Sequence, residues 1–135
     1  MLKISKKAEY ALMAAKFMAL NNNTGYCSAK EISERYEIPY QLVSKVLQKL
    51  VKGEIAVSTK GMNGGFSLTK KPDDIPLLDI IKAVEKDYKI VDCLQPNGSS
   101  ADCSNFNCCK IKDPLAEIQR KIDNIFIETS LAQIL

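Results

Sequence analysis

Five cysteines and no histidine set the chemistry open to this chain. Cys27 stands alone beside Tyr26, and the other four gather as Cys93-x9-Cys103-x4-Cys108-Cys109. A lone cysteine ahead of a helix is most simply a small buried residue. Thiols gathered in one loop can instead converge on a single centre: an iron–sulfur cluster, a tetrahedral zinc or a thiol switch. The paired C-x2-C knuckles of a four-cysteine zinc site are missing, and disulfides are disfavoured in a reducing compartment. The lack of imidazole removes Ser-His and Cys-His catalysis, His-ligated zinc and histidine pH switching together. There is no phosphate loop, no carboxylate pair on one predicted face and no C-x-x-C, so an enzyme is not expected.

The elements that hold these thiols must come from 135 residues, which suit one compact domain or a small domain with an added arm. A charged fraction of 26% against 46% hydrophobic is ordinary globular composition. No apolar run approaches the ~18 residues of a membrane span and no secretory segment opens the chain, so a cytoplasmic protein with no membrane partner is expected. Charge is divided unevenly. Residues 1–72 hold 12 Lys/Arg against 5 Asp/Glu, and residues 73–135 hold 7 against 11. The basic front half suits a polyanion such as nucleic acid, and the acidic rear half suits another task.

Residues 5–21 read as a helix with two apolar stripes, Tyr10/Ala14/Phe17 and Ala8/Leu12/Ala15/Ala19, stopped by Asn21-Asn22-Asn23-Thr24-Gly25. Ser28-Ala-Lys-Glu31 is a capping-box pattern opening a short helix to about Tyr36. Pro39 then suits the first turn of a helix running to about Lys52 and ending at Gly53. Leu42, Val43, Val46, Leu47 and Leu50 form its apolar set; Gln41, Ser44, Lys45, Gln48, Lys49 and Lys52 lie mostly on the other side. Two short helices joined by a tight turn, the second with a polar and basic face, meet the needs of a helix-turn-helix.

Behind it, Ile55/Val57/Thr59 and Phe66/Leu68/Lys70 alternate as two strands around Lys60-Gly61-Met62-Asn63-Gly64-Gly65. A glycine-rich hairpin carrying a lysine in this place makes a wing that can reach phosphates or a minor groove. The predicted fold class is therefore mainly α with a small β-wing. Residues 1–75 form the winged helix-turn-helix. Residues 76–135 form a linker helix (Leu77 to about Lys86), a cysteine loop (about 87–113) and a helix from Pro114 to about Leu131. The last helix carries Leu115, Ile118, Ile122, Ile125 and Phe126 on one stripe, which suits pairing with its own copy or packing onto its own domain.

Together the opening K-x-x-E-Y-A-L, the helix-turn-helix, the wing G-M-N-G-G-F-S-L and the cysteine loop before a terminal helix resemble the Rrf-two family. These are the IscR- and NsrR-type bacterial transcription regulators, and the resemblance spans essentially the whole chain. It implies a homodimer that binds double-stranded promoter DNA at a pseudo-palindromic site. It also implies a 2Fe–2S or 4Fe–4S cluster on three loop cysteines that sets DNA affinity, sensing cluster or iron status, redox or nitric oxide. The ligands carried over are Cys93, Cys103 and Cys109, with Cys108 as the alternative. The histidine that serves IscR-like members is replaced by Lys112, whereas Glu9 occupies the place of the acidic ligand that NsrR-type members take from the partner's first helix. The DNA-facing residues are Gln41 and Ser44 toward bases, and Pro39 and Tyr40 at the helix start. Lys45, Lys49, Lys60 and Asn63 are expected toward phosphate or the minor groove. The competing reading is a cluster-free thiol-redox or zinc-stabilised regulator or interaction module.

Overall fold

A computed structural model describes residues 2–21, 25–62, 64–95 and 109–135. Five α-helices and a two-stranded sheet follow one another as α1 (Lys6–Leu20), α2 (Ala29–Tyr36), α3 (Tyr40–Lys52), β1 (Ala56–Thr59), β2 (Gly65–Leu68), α4 (Leu77–Val84) and α5 (Lys112–Glu128). The core lies where α1, α3 and α4 meet, with α2 braced on α3. Alanines at 8, 11, 14 and 15 are buried on α1. Side chains this small let neighbouring helices approach, and Ile32, Leu47, Leu50 and Ile80 fill the space between them with no exposed area.

Local chemistry sets the bounds of the helix pair. Ser28 accepts the Glu31 N–H at 3.1 Å while Glu31 accepts the Ser28 N–H at 2.7 Å, so the expected capping box is present in both directions. Glu37 closes α2 in the left-handed conformation at φ 53°, and its N–H donates to the Ser33 carbonyl. The Ser33 hydroxyl donates to the Ile38 carbonyl at 2.6 Å, which fastens the turn between the two helices. Pro39 then stands at the N-cap position of α3, at φ −52° and ψ 131°, one residue ahead of the first turn. Four of the five apolar residues expected inside α3 are buried, but Leu42 is 41% exposed. Its phase puts it beside the polar face rather than over the core.

The wing is an antiparallel pair in the register Ala56–Leu68, Val57–Ser67, Ser58–Phe66 and Thr59–Gly65. A third segment joins it: Cys27 and Phe66 exchange both backbone hydrogen bonds, at 2.8 and 2.7 Å. Two glycines permit this. A Cβ on Gly64 would sit 2.1 Å from the Thr59 carbonyl oxygen, and one on Gly65, at φ 147°, would sit 2.6 Å from that of Cys27.

Several boundaries differ from the sequence expectation: the strands are Ala56–Thr59 and Gly65–Leu68, so Ile55 and Lys70 fall outside them, and the largest differences lie in the rear half. Helix α4 ends at Val84 rather than near Lys86, with Glu85 extended after it. Helix α5 starts at Lys112, two residues before Pro114, which is tolerated because first-turn amides need no intrahelical acceptor. It ends at Glu128, and Leu131–Ile134 form a separate 3-10 turn. That turn is fastened to the connector before α4, since the Leu131 N–H donates to Ile75 at 2.8 Å and the Leu77 N–H to Thr129 at 2.9 Å.

Candidate functional site

The polar face of α3 is open. Pro39, Tyr40, Gln41 and Lys45 are exposed and Ser44 is half-buried, while Val43, Val46, Leu47 and Leu50 anchor the opposite side. Lys45 forms no ion pair or hydrogen bond with another described residue. Lys49 is exposed as well, yet its ammonium donates to the Val84 carbonyl at 3.4 Å, across to the end of α4. Lys60 is exposed where β1 ends, and Met62 is fully exposed at the wing tip. Asn63 lies outside the described residues. A rigid helix with an exposed polar and basic face, followed by a hairpin tightened by glycines, can enter a major groove while the hairpin reaches the adjoining backbone.

The thiols fall in two environments. Cys27 is 2% exposed in the wing's third segment, and burial, helped by the Glu31 carboxylate, pushes its pKa up. It therefore stays a neutral thiol and packs as a small apolar residue. Cys93 and Cys109 are half-buried and free of disulfides. Cys93 sits in a 3-10 turn, Asp92–Leu94, and Cys109 lies three residues ahead of α5. Cys103 and Cys108 lie outside the described residues. Two thiols with partial access and no disulfide partner have the donor chemistry that iron or zinc selects. Among the described residues no three Cys, Asp or Glu side chains converge on one point. Glu9, in the first turn of α1, accepts a 2.7 Å hydrogen bond from Lys6 and is 38% exposed at its side chain.

Sequence reasoning missed a cleft of about 510 Å³ between the N-terminal residues, the end of α4, residues 87–90 and α5. Its lining is mostly apolar but holds one polar group: Lys89 pairs with Asp123 at 2.8 Å, and Gln119, 4% exposed, donates to Asp123 at 2.8 Å. Burial disfavours the Lys89 ammonium, but its hydrogen bond to Asp123 and the neighbouring Tyr88 outweigh that and raise its pKa. A glutamine in phase with Leu115 and Ile122 on an otherwise apolar stripe is the one signal that could have pointed there.

The expected stripe on α5 divides. Leu115, Ile122 and Phe126 are half-buried, the last two lining the cleft, whereas Ile118 is 46% and Ile125 63% exposed. With Ile111, also exposed, the outward residues are seven apart. Among the described residues no helix is long and apolar enough to cross a membrane.

Comparison with known proteins agrees with this architecture. A family model described as Rrf2, iron-dependent transcriptional regulator, matches residues 4–135. A protein of Aquifex aeolicus designated a candidate HTH-type transcriptional regulator is 34% identical over 97% of this chain and 90% of its own length. The HTH-type transcriptional regulator NsrR of Shouchella clausii is 28% identical over 86% of this chain and 76% of its own. Among solved structures, T. potens IscR superposes with a TM-score of 0.73 at 25% identity, covering 98% of this chain and 85% of that one. CymR, the global cysteine regulator of B. subtilis, superposes at 0.77 with 24% identity over 99% and 96%, a likeness of fold. These relatives are named as regulators, not enzymes. The chain belongs to the Rrf2 (Rrf-two) family of winged-helix, DNA-binding transcriptional regulators.

Proposed function

We propose that this protein is a cytoplasmic regulator that binds a pseudo-palindromic promoter as a homodimer and whose DNA affinity depends on an iron–sulfur cluster. In this reading residues 1–75 dock on DNA and residues 76–135 supply the linker helix, the cysteine loop and the dimerisation helix. Gln41 and Ser44 face bases, and Pro39 and Tyr40 meet the sugar or a thymine methyl. Lys45, Lys49, Lys60 and Asn63 meet phosphate or the minor groove. The exposed, heptad-spaced Ile111, Ile118 and Ile125 support pairing of α5 with its copy, since isoleucines seven apart leave one apolar seam uncovered.

The observation that carries the cluster reading is the pair of free, half-buried thiols at Cys93 and Cys109, in a chain similar to NsrR and IscR. Cys93, Cys103 and Cys109 would hold the cluster, with Cys108 as the alternative and Glu9 of the partner subunit as the fourth ligand. To serve, that carboxylate must give up its pair with Lys6, an exposed contact between helix neighbours that solvent screens. A bound cluster would supply iron whose state changes with iron supply, redox poise or nitric oxide. What the chain contributes is sulfur donors on either side of the loop that joins α4 to α5.

The test is anaerobic purification of the full chain, with iron, sulfide and zinc assayed beside binding to promoter DNA. Brown protein containing iron and sulfide, with DNA affinity that changes when the iron is removed, is the expected result. Colourless protein with stoichiometric zinc, or identical affinity with and without iron, would overturn the cluster reading.

A further inference from the structure

Residues 89–95 form a small closed loop. The Lys89 N–H donates to Gln95 Oε1 at 3.1 Å and Gln95 Nε2 donates to the Lys89 carbonyl at 3.0 Å. One side-chain amide thus replaces the pair of backbone bonds that would close a hairpin. Inside the loop, Leu94 N–H to Val91 at 3.1 Å and Gln95 N–H to Asp92 at 3.0 Å fix the 3-10 turn that carries Cys93.

The loop is then fastened to α5. Gln119 Oε1 accepts the Ile90 N–H at 2.7 Å, and Gln119 Nε2 donates to Asp123 Oδ1 at 2.8 Å. Asp123 Oδ2 in turn accepts from Lys89 Nζ at 2.8 Å. Gln119 is the only buried polar side chain among the described residues. Stability alone argues for an apolar side chain there, because Leu115, Ile122 and Phe126 line the same face of α5 and a buried amide gains little net energy even when satisfied. What the glutamine does that leucine cannot is grip the backbone three residues before Cys93. Cys109 is tied to the same helix by the chain itself, three residues ahead of Lys112.

We propose that Gln119, with Gln95, is a positioning residue that holds Cys93 in a set relation to Cys109 before any metal binds. The inference rests on the reading of these thiols as ligands given above. Groups that hydrogen-bond metal ligands typically change metal affinity about 10–100-fold when removed; the two glutamines act one step behind, through the backbone that carries Cys93, and the lower end, about tenfold, is expected of them.

The test uses full-length, metal-free, reduced protein and Co(II) as the probe, read by thiolate-to-cobalt charge-transfer absorbance, with thermal unfolding of each sample in parallel. Gln119→Met keeps the volume and removes both bonds; it should weaken Co(II) binding about tenfold. Gln119→Glu combined with Asp123→Asn keeps the acceptor for the Ile90 N–H, reverses the bond between the two side chains so that no two carboxylates face each other, and should recover most of that loss. Gln95→Leu, which leaves α5 untouched, should weaken binding in the same direction. Variants that unfold at lower temperature yet bind Co(II) like the wild type would make the glutamines merely structural and overturn the proposal. So would the double variant binding no better than Gln119→Met. Should Gln119→Met fail to fold, wild-type affinity in Gln95→Leu overturns it alone. Wild-type protein without any thiolate charge-transfer band would overturn the thiol-ligand reading itself, a different failure from variants that all bind equally well.

Discussion

Replacing Lys60 by alanine separates contact with the DNA backbone from reading of its sequence. Lys60 is exposed at the end of β1 and has no ion pair or hydrogen bond to another described residue, so its removal leaves the hairpin's own bonds in place. Each phosphate neutralised releases counterions and contributes about 0.9 to the slope of log affinity against log salt; a homodimer with two wings loses about 1.8. Between about 50 and 200 mM salt, the gap between wild type and Lys60→Ala should therefore close about twelvefold. Fluorescence anisotropy with a promoter duplex and a scrambled duplex measures this. The slope should fall equally on both. A loss confined to the promoter at wild-type slope would make Lys60 a base reader and refute its assignment to phosphate. A fall of only about 0.9 would mean that a single wing engages, against two-fold docking. Lys49 offers no such clean test, because its ammonium also holds the Val84 carbonyl.

Two further outcomes follow from geometry described above. Gly64→Ala should distort the wing, because the added carbon would sit 2.1 Å from the Thr59 carbonyl oxygen; a loss of about 1–3 kcal/mol in urea unfolding with weakened DNA binding is expected, and an unchanged midpoint would refute the close approach. The Lys89–Asp123 pair should give a pH-dependent stability. Because the folded pKa of Lys89 is raised, its contribution is complete below the unfolded lysine value of about 10.4 and is lost as pH climbs through the folded value. The Tm difference between wild type and Lys89→Met should stay level through neutral pH and narrow only at the alkaline end. A difference that widens there would reverse the sign of the shift.

What could be read from the sequence was what local chemistry determines. The capping box, the turn at Glu37-Ile38-Pro39 and the glycines of the wing each act within a few residues, and each is found where the pattern put it. Leu42 went astray because its phase lies at the edge of the stripe that Val43, Val46, Leu47 and Leu50 turn toward the core. The Gln119 clamp left no local trace: it joins a side chain to a backbone amide 29 positions away. The return of residues 129–131 to the connector before α4 is equally long-range. On α3, polarity alone picked out the exposed face. In the cysteine loop there is no periodicity to read, so spacing suggested a ligand set without placing it.

That return of the chain ties the foot of α5 to the connector that leads out of the wing, through the backbone bonds of Leu131 and Leu77. Higher up, Gln119 and Asp123 fasten the same helix to residues 89 and 90. Seventeen residues at 1.5 Å each make it a strut of about 25 Å. One strut thus joins the segment that carries Cys93 to the root of the hairpin, so coupling between the two has a continuous path of bonds to follow.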